Sequence, residues 1–238
     1  TDGLTAGYPV KLFSTIDVNN NIYILAEYQN VVTDSSLQDW FLKKFDSDGN
    51  EINVTGQTLS YCKSPGNPNP CTTNGKDFAM DLGSLDFVDI PGSLAVDSSG
   101  NIYVVGLTGQ GFSLTHVLLK ISVNGPIEWG IGLGVAGFLE HSKTSKIVIS
   151  EQNEIYVVIM DYNAVRSDSI FDIHIKKFDL NGNELDFSGL GFPCDGHNPC
   201  SQNGMDLVVD SNGGEDMPYY VNFRNNFLYV GGIGTNLK

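Results

Sequence analysis

The sequence predicts an all-β fold, a β-propeller-like array of four-stranded antiparallel blades, with about three and a half blades in 238 residues. Three observations lead there. A strand–turn–strand phrase occurs four times, a second such phrase follows its first three copies, and no stretch carries a capped 3.6-residue apolar period.

The first phrase reads "STIDVNNNIYILAEY" at 14–28, "SLAVDSSGNIYVVGLT" at 93–108, "KIVISEQNEIYVVIMDY" at 146–162 and "YYVNFRNNFLYVGGIG" at 219–234. Each copy has an apolar strand, a turn of Asn, Asp, Gly or Ser, and a second apolar strand carrying Tyr23, Tyr103, Tyr156 or Tyr229. Asn, Asp and Gly tolerate the positive φ of tight hairpin turns, so the turns at 17–21, 97–101 and 150–154 are expected to be structural. The second phrase is "DWFLKKFDSDGNEIN" at 39–53, "THVLLKISVNGPIEWG" at 115–130 and "FDIHIKKFDLNGNELDF" at 171–187. Lys44, Lys120 and Lys177 fall in register, as do Gly49, Gly125 and Gly182. Two hairpins make a unit A-B-C-D, and runs such as "IYVVG" suit inner strands covered on both faces.

"VDSSGNIYVVG" followed by "LLKISVNGPIEW" resembles the bacterial β-propeller repeat called SBBP, and "LKKFDSDGNE" and "IKKFDLNGNE" are similar to its second half. Unit 2 departs from the pattern at Pro126, and unit 4 lacks the second phrase. The resemblance implies blades and export, and it brings no shared catalytic residues.

The blades are placed at about 8–60, 91–131, 144–190 and 218–238, in one domain spanning 1–238. Cysteine loops at about 61–90 and 191–217 are expected to connect them. The repeat tyrosines lie 80, 53 and 73 residues apart, and the two long intervals hold these loops, "NPNPCTTNG" at 67–75 and "HNPCSQNG" at 197–204. A two-blade block therefore occurs twice. Two local cysteine pairs in a chain of secreted-type repeats read as disulfides, Cys62–Cys71 and Cys194–Cys200. Their spacings do not suit the C-x₂₋₄-C pattern of zinc sites.

A net charge of −15, from 28 acidic against 13 basic residues, argues against nucleic acid or an anionic membrane as partner. No apolar run approaches the ~20 residues of a membrane span. A secreted or cell-surface location is expected, with the signal peptide removed before residue 1.

No catalytic or cofactor-binding residue is singled out. "DSDGNE" at 46–51 has its glycine fourth rather than sixth, so it reads as a hairpin turn and not a calcium loop. Calcium is the one metal expectation, at Asp77, Asp81, Asp86 and Asp89 beside the first cysteine loop. "GLGVAG" at 132–137 is expected to be an inter-blade connection, not a dinucleotide loop, because no βαβ context surrounds it. His116 and His174 stand where the other units carry bulk, and a catalytic role is not expected of them.

Two functions stay open. One is a non-enzymatic binding or structural module, which the duplication of the decorated loops favours. The other is an extracellular propeller enzyme acting on glycans. A glycan or surface protein is a candidate partner for either. Unit 4 stops after its second strand, so Phe227, Leu228, Tyr229 and Val230 are expected to form an open edge. Another copy of the chain would complete it, in a closed oligomer or a filament.

Overall fold

The computed structural model describes residues 11–29, 38–62, 69–82, 88–110, 113–137, 145–162, 171–187, 200–202, 205–209 and 216–234. All regular structure among them is antiparallel strand, arranged as an all-β, propeller-like array. Blade 1 runs β1 (Leu12–Ile16), β2 (Ile22–Gln29), β3 (Gln38–Phe45) and β4 (Glu51–Ile52), with β5 (Phe78–Met80) also on β3. Blade 2 is β6 (Val88–Val96), β7 (Ile102–Gln110), β8 (Ser113–Ile121) and β9 (Ile127–Gly137). Blade 3 takes β10 (Lys146–Ile149), β11 (Ile155–Tyr162), β12 (Phe171–Phe178), β13 (Cys200–Gln202) and β14 (Asp206–Val209), in the order β10-β11-β12-β14-β13. Blade 4 is the hairpin β15 (Asp216–Arg224) and β16 (Phe227–Gly234).

The repeated side chains build the inner hairpins of blades 1 and 2 in the same way, and blade 3 varies the theme. Asp17 accepts hydrogen bonds from the Asn19 and Asn21 amides at 2.8 and 2.9 Å, and Tyr23 donates its hydroxyl to the same carboxylate at 3.1 Å. Asp97 does likewise with Ser99, Asn101 and Tyr103. In blade 3 the Tyr156 hydroxyl meets Glu154 at 2.8 Å. The lysine opposite each tyrosine in the ladder lays its ammonium over the ring, Lys44 on Tyr23, Lys120 on Tyr103 and Lys177 on Tyr156. "DSDGNE" is a turn: Asp46 accepts from the Asp48 and Asn50 amides, and Gly49 takes φ +81°.

The blades pack face to face. One core joins Tyr23, Leu25, Trp40 and Leu42 of blade 1 to Leu94, Ile102, Val104 and Leu119 of blade 2. A second joins Tyr103, Val105 and Leu118 of blade 2 to Ile147, Ile155, Val157 and Ile159 of blade 3. Phe223 of blade 4 stacks on Tyr156, with ring centroids 5.3 Å apart.

Three expectations need correction. "GLGVAG" is not a connection: residues 132–137 continue β9 and pair with β8, whose ladder slips at Leu114/Thr115 and His116/Val117. Glycine-rich backbone follows those bulges without side chains in the way. Second, the cysteine loops are not simple links between blades. Phe78–Met80 returns to pair with Leu42, Phe41 and Trp40, so the fourth strand of blade 1 is split and the loop leaves from its middle. Blade 3 repeats this, with Phe178 bridged to Glu184 before the loop and β14 on β12 after it. Third, blades 2 and 4 start earlier than expected: Asp89–Pro91 and Asp216–Pro218 lie within their first strands, each followed by a register shift. Blade 2 thus starts at Val88 rather than 91.

Candidate functional site

The innermost strands β1, β6, β10 and β15 surround an axial cavity of about 350 Å³. Its polar lining comprises Ser14, Thr15, Ser93, Lys146, Tyr219 and Tyr220. Lys146 opens β10 on the cavity wall, with Nζ 3.4 Å from the Gly92 carbonyl of blade 2 and 5.2 Å from the Phe13 ring of blade 1. Burial lowers its pKa from the ordinary lysine value. Tyr219 and Tyr220 are about half exposed at the far wall.

The first cysteine loop is stapled, with Cys62 and Cys71 disulfide-bonded and their Cα atoms 5.0 Å apart. Its second arm runs beside β5 through the Cys71–Ala79 backbone pair. In blade 3, Cys200 stands opposite Val208 in the same relation. Cys194 lies outside the described residues, and so therefore does the second disulfide.

Of the four aspartates considered for calcium, Asp86 lies outside the described residues. Asp77 is buried and accepts from Thr72 Oγ1 and the Thr73 amide, each at 2.6 Å, and from Thr73 Oγ1. Those bonds close the "TTNGKD" turn. Asp81 has its backbone clamped by the Asn69 side-chain amide. Asp89 is buried, and its Oδ2 accepts from the Leu82 amide at 2.6 Å. Its Oδ1 and Thr108 Oγ1 face each other across the ladder outside ordinary hydrogen-bond geometry, and the hydroxyl offsets part of the effect of burial on the carboxyl. Burial pushes Asp89 up to about 7, with the fields of Asp81 and Asp39 adding to the shift. Among the described residues no three His, Cys, Asp or Glu side chains form a group that could hold a metal ion.

His116 and His174 are both buried, the first on β8 of blade 2 and the second on β12 of blade 3. His116 Nε2 lies 2.9 Å from the Met160 carbonyl, which can only accept, so the proton sits on Nε2. His116 Nδ1 and His174 Nε2 have no partner. Burial lowers both rings to about 4, so both are neutral at pH 7. Both rings are buried, and His116 reaches across from blade 2 to the Met160 carbonyl of blade 3.

Phe227, Leu228, Tyr229 and Val230 lie on β16, whose second edge carries no strand among the described residues. The register sorts them: Leu228 and Val230 oppose Phe223 and Val221, while Phe227 and Tyr229 oppose Arg224 and Asn222 on the outward face. No helix among the described residues is long and apolar enough to cross a membrane.

Sequence reasoning missed Lys146. Its signal was a departure from the repeat, since the corresponding positions of the other inner strands hold Phe13 and Ser93.

Residues 84–112 match the SBBP family, described as a beta-propeller repeat. The match spans all of β6 and β7, the inner hairpin of blade 2. No curated protein matches the chain. Two solved structures are similar, both of a polysaccharide lyase of family PL25, an ulvan lyase, one of them bound to -[GlcA(1-4)Rha3S]-. Each is 14% identical and covers 74% of this chain, with TM-scores of 0.47 for the bound form and 0.48 for the other. The chain spans 42% of the length of those structures.

Proposed function

We propose that the chain is an exported, non-enzymatic structural module whose end blades join to further copies of itself. The observation that carries this reading is the fate of the repeat tyrosine. Tyr23, Tyr103 and Tyr156 are 0%, 0% and 8% exposed, each under the next blade, whereas Tyr229 of blade 4 is 52% exposed. The opposite blade face follows suit. Ile102 and Ile155 are buried, but Ile22 at the same position of blade 1 is exposed, together with Leu12 and Ile16 on that face. One chain thus presents both halves of the contact it makes internally, and a second copy's blade 1 fits over blade 4. Large exposed apolar patches mark association surfaces, and the second edge of β16, which carries no strand among the described residues, adds backbone groups to this one. Such a contact is heterologous, so it closes into a ring or runs on as a filament. The Cys62–Cys71 disulfide supports export, because structural disulfides persist in oxidising compartments.

Light scattering on the 238-residue chain tests it. Leu12→Asp blocks one end and Tyr229→Asp the other. Each variant alone should be monomeric, and an equal mixture should give a discrete dimer through the two unblocked ends. A wild-type chain that stays monomeric at high concentration defeats the reading, and leaves the exposed faces to further blades of a longer polypeptide.

A further inference from the structure

We propose that the axial cavity is a binding site for a carboxylated sugar, one uronic acid unit of a glycan, with Lys146 pairing the carboxylate. Three observations carry it. The cavity has about 350 Å³, at the small end of the ~300–1,000 Å³ range of ligand pockets and suited to a sugar unit. Its charged lining residue is a lysine, in a chain of net charge −15, and no carboxylate lines it among the described residues. Lys146 is half-buried, and among the described residues its only neighbours of note are the Gly92 carbonyl and the Phe13 ring. A half-buried ammonium without a counter-ion is costly, and an anion entering the cavity relieves that cost.

The rest of the lining decides what kind of anion. Ser14, Thr15 and Ser93 bring hydroxyls that can donate or accept, as ring hydroxyls require. Tyr219 and Tyr220, 53% and 55% exposed, offer aromatic faces at the mouth for the apolar C–H face of a sugar. An inorganic anion uses the lysine alone and has no use for the tyrosines. Tyr220 is shared with the outward face of blade 4, where it lies beside Asn222, Arg224 and Tyr229, but Lys146 belongs to the cavity alone. The Lys146 variants therefore test sugar binding separately from assembly.

Calorimetric titration of the intact chain with glucuronate, glucose and sulfate is the test. Glucuronate should bind, glucose should bind at least tenfold more weakly, and raising the salt should weaken the glucuronate complex. Lys146→Gln should lose about tenfold in glucuronate affinity, the scale of one charge-assisted hydrogen bond, while Lys146→Arg keeps most of it. Tyr220→Ser, at an exposed position that leaves the core intact, should weaken glucuronate several-fold without changing any response to sulfate. Melting curves confirm that the variants are folded. Sulfate binding as tightly as glucuronate makes this a plain anion site and overturns the sugar assignment. Equal binding of glucose, no binding of glucuronate at tens of millimolar, or an unchanged affinity in Lys146→Gln overturns the proposal altogether.

Discussion

Gly100 stands at the turn of the inner hairpin of blade 2 with φ +86°, a conformation costly for any residue with a Cβ. A valine there adds a branched side chain against Val123, whose Cγ2 lies 3.4 Å from the site of the new Cβ. Gly100→Val should lower stability by about 2 kcal/mol in urea unfolding and leave the glucuronate affinity of the folded fraction unchanged. Gly106 is glycine for a different reason: a Cβ there would lie 2.4 Å from the Trp40 ring and from the Ile90 carbonyl. The turn residues were legible in the sequence because their backbone requirement is local. The role of Gly106 was not, because Trp40 reaches it only once blade 1 packs on blade 2. Asp89 belongs at this scale too. Its folded pKa of about 7 exceeds the ordinary 3.8, so the neutral form is favoured in the fold. The stability it contributes is complete below pH 3.8 and is lost as pH rises through 7. Asp89→Asn should therefore be neutral below about pH 4 and stabilising at pH 8, by up to about 4 kcal/mol, read from urea midpoints at the two pH values.

At the scale of elements, the four inner hairpins were legible from apolar alternation and turn chemistry, and so was the common register of Lys44, Lys120 and Lys177. That each lysine lies over a tyrosine emerges only from the ladder pairing. The split fourth strand was hidden. "FAM" at 78–80 is too short to read as a strand, and its partner β3 lies across a loop of twenty-five residues, 53–77, that carries no periodic pattern. What holds the loop in place is the disulfide together with Asp77 and its threonines, a local constraint that the cysteine spacing announced without saying where the chain went next. Closing a nine-residue separation removes about 2.5 kcal/mol of unfolded-chain entropy. The double variant Cys62→Ser, Cys71→Ser should lose roughly that amount, and reduction of the wild type should match it. A loss confined to local proteolysis near residue 71, with the global unfolding midpoint unchanged, would show that the staple holds only its own loop.

For the whole molecule, the blade interfaces decide how stability responds to acid. The interface of blades 2 and 3 buries two neutral imidazoles, His116 and His174, each held near 4 by burial against an ordinary 6.5. Beyond burial, His174 disfavours protonation of His116, and Lys176 disfavours that of His174. The sequence placed both histidines at bulk-filling positions, and packing between blades is what turned that into a pH response. As pH falls below 6.5 the unfolded chain takes up protons that the folded interface refuses, so stability is lost progressively towards pH 4. The scale is up to about 3 kcal/mol for each ring. Asp89 acts with the opposite sign over much of the same window, because its neutral form gains as pH falls. In the wild type the two responses partly cancel, and unfolding midpoints should change little between pH 7 and about 5.5. Asp89→Asn removes the opposing response, so its stability should fall steeply over that window. Adding His116→Gln, which keeps a donor for the Met160 carbonyl and cannot titrate, should restore a shallow profile. If Asp89→Asn and the double variant show the same slope, His116 is not the group that senses acid.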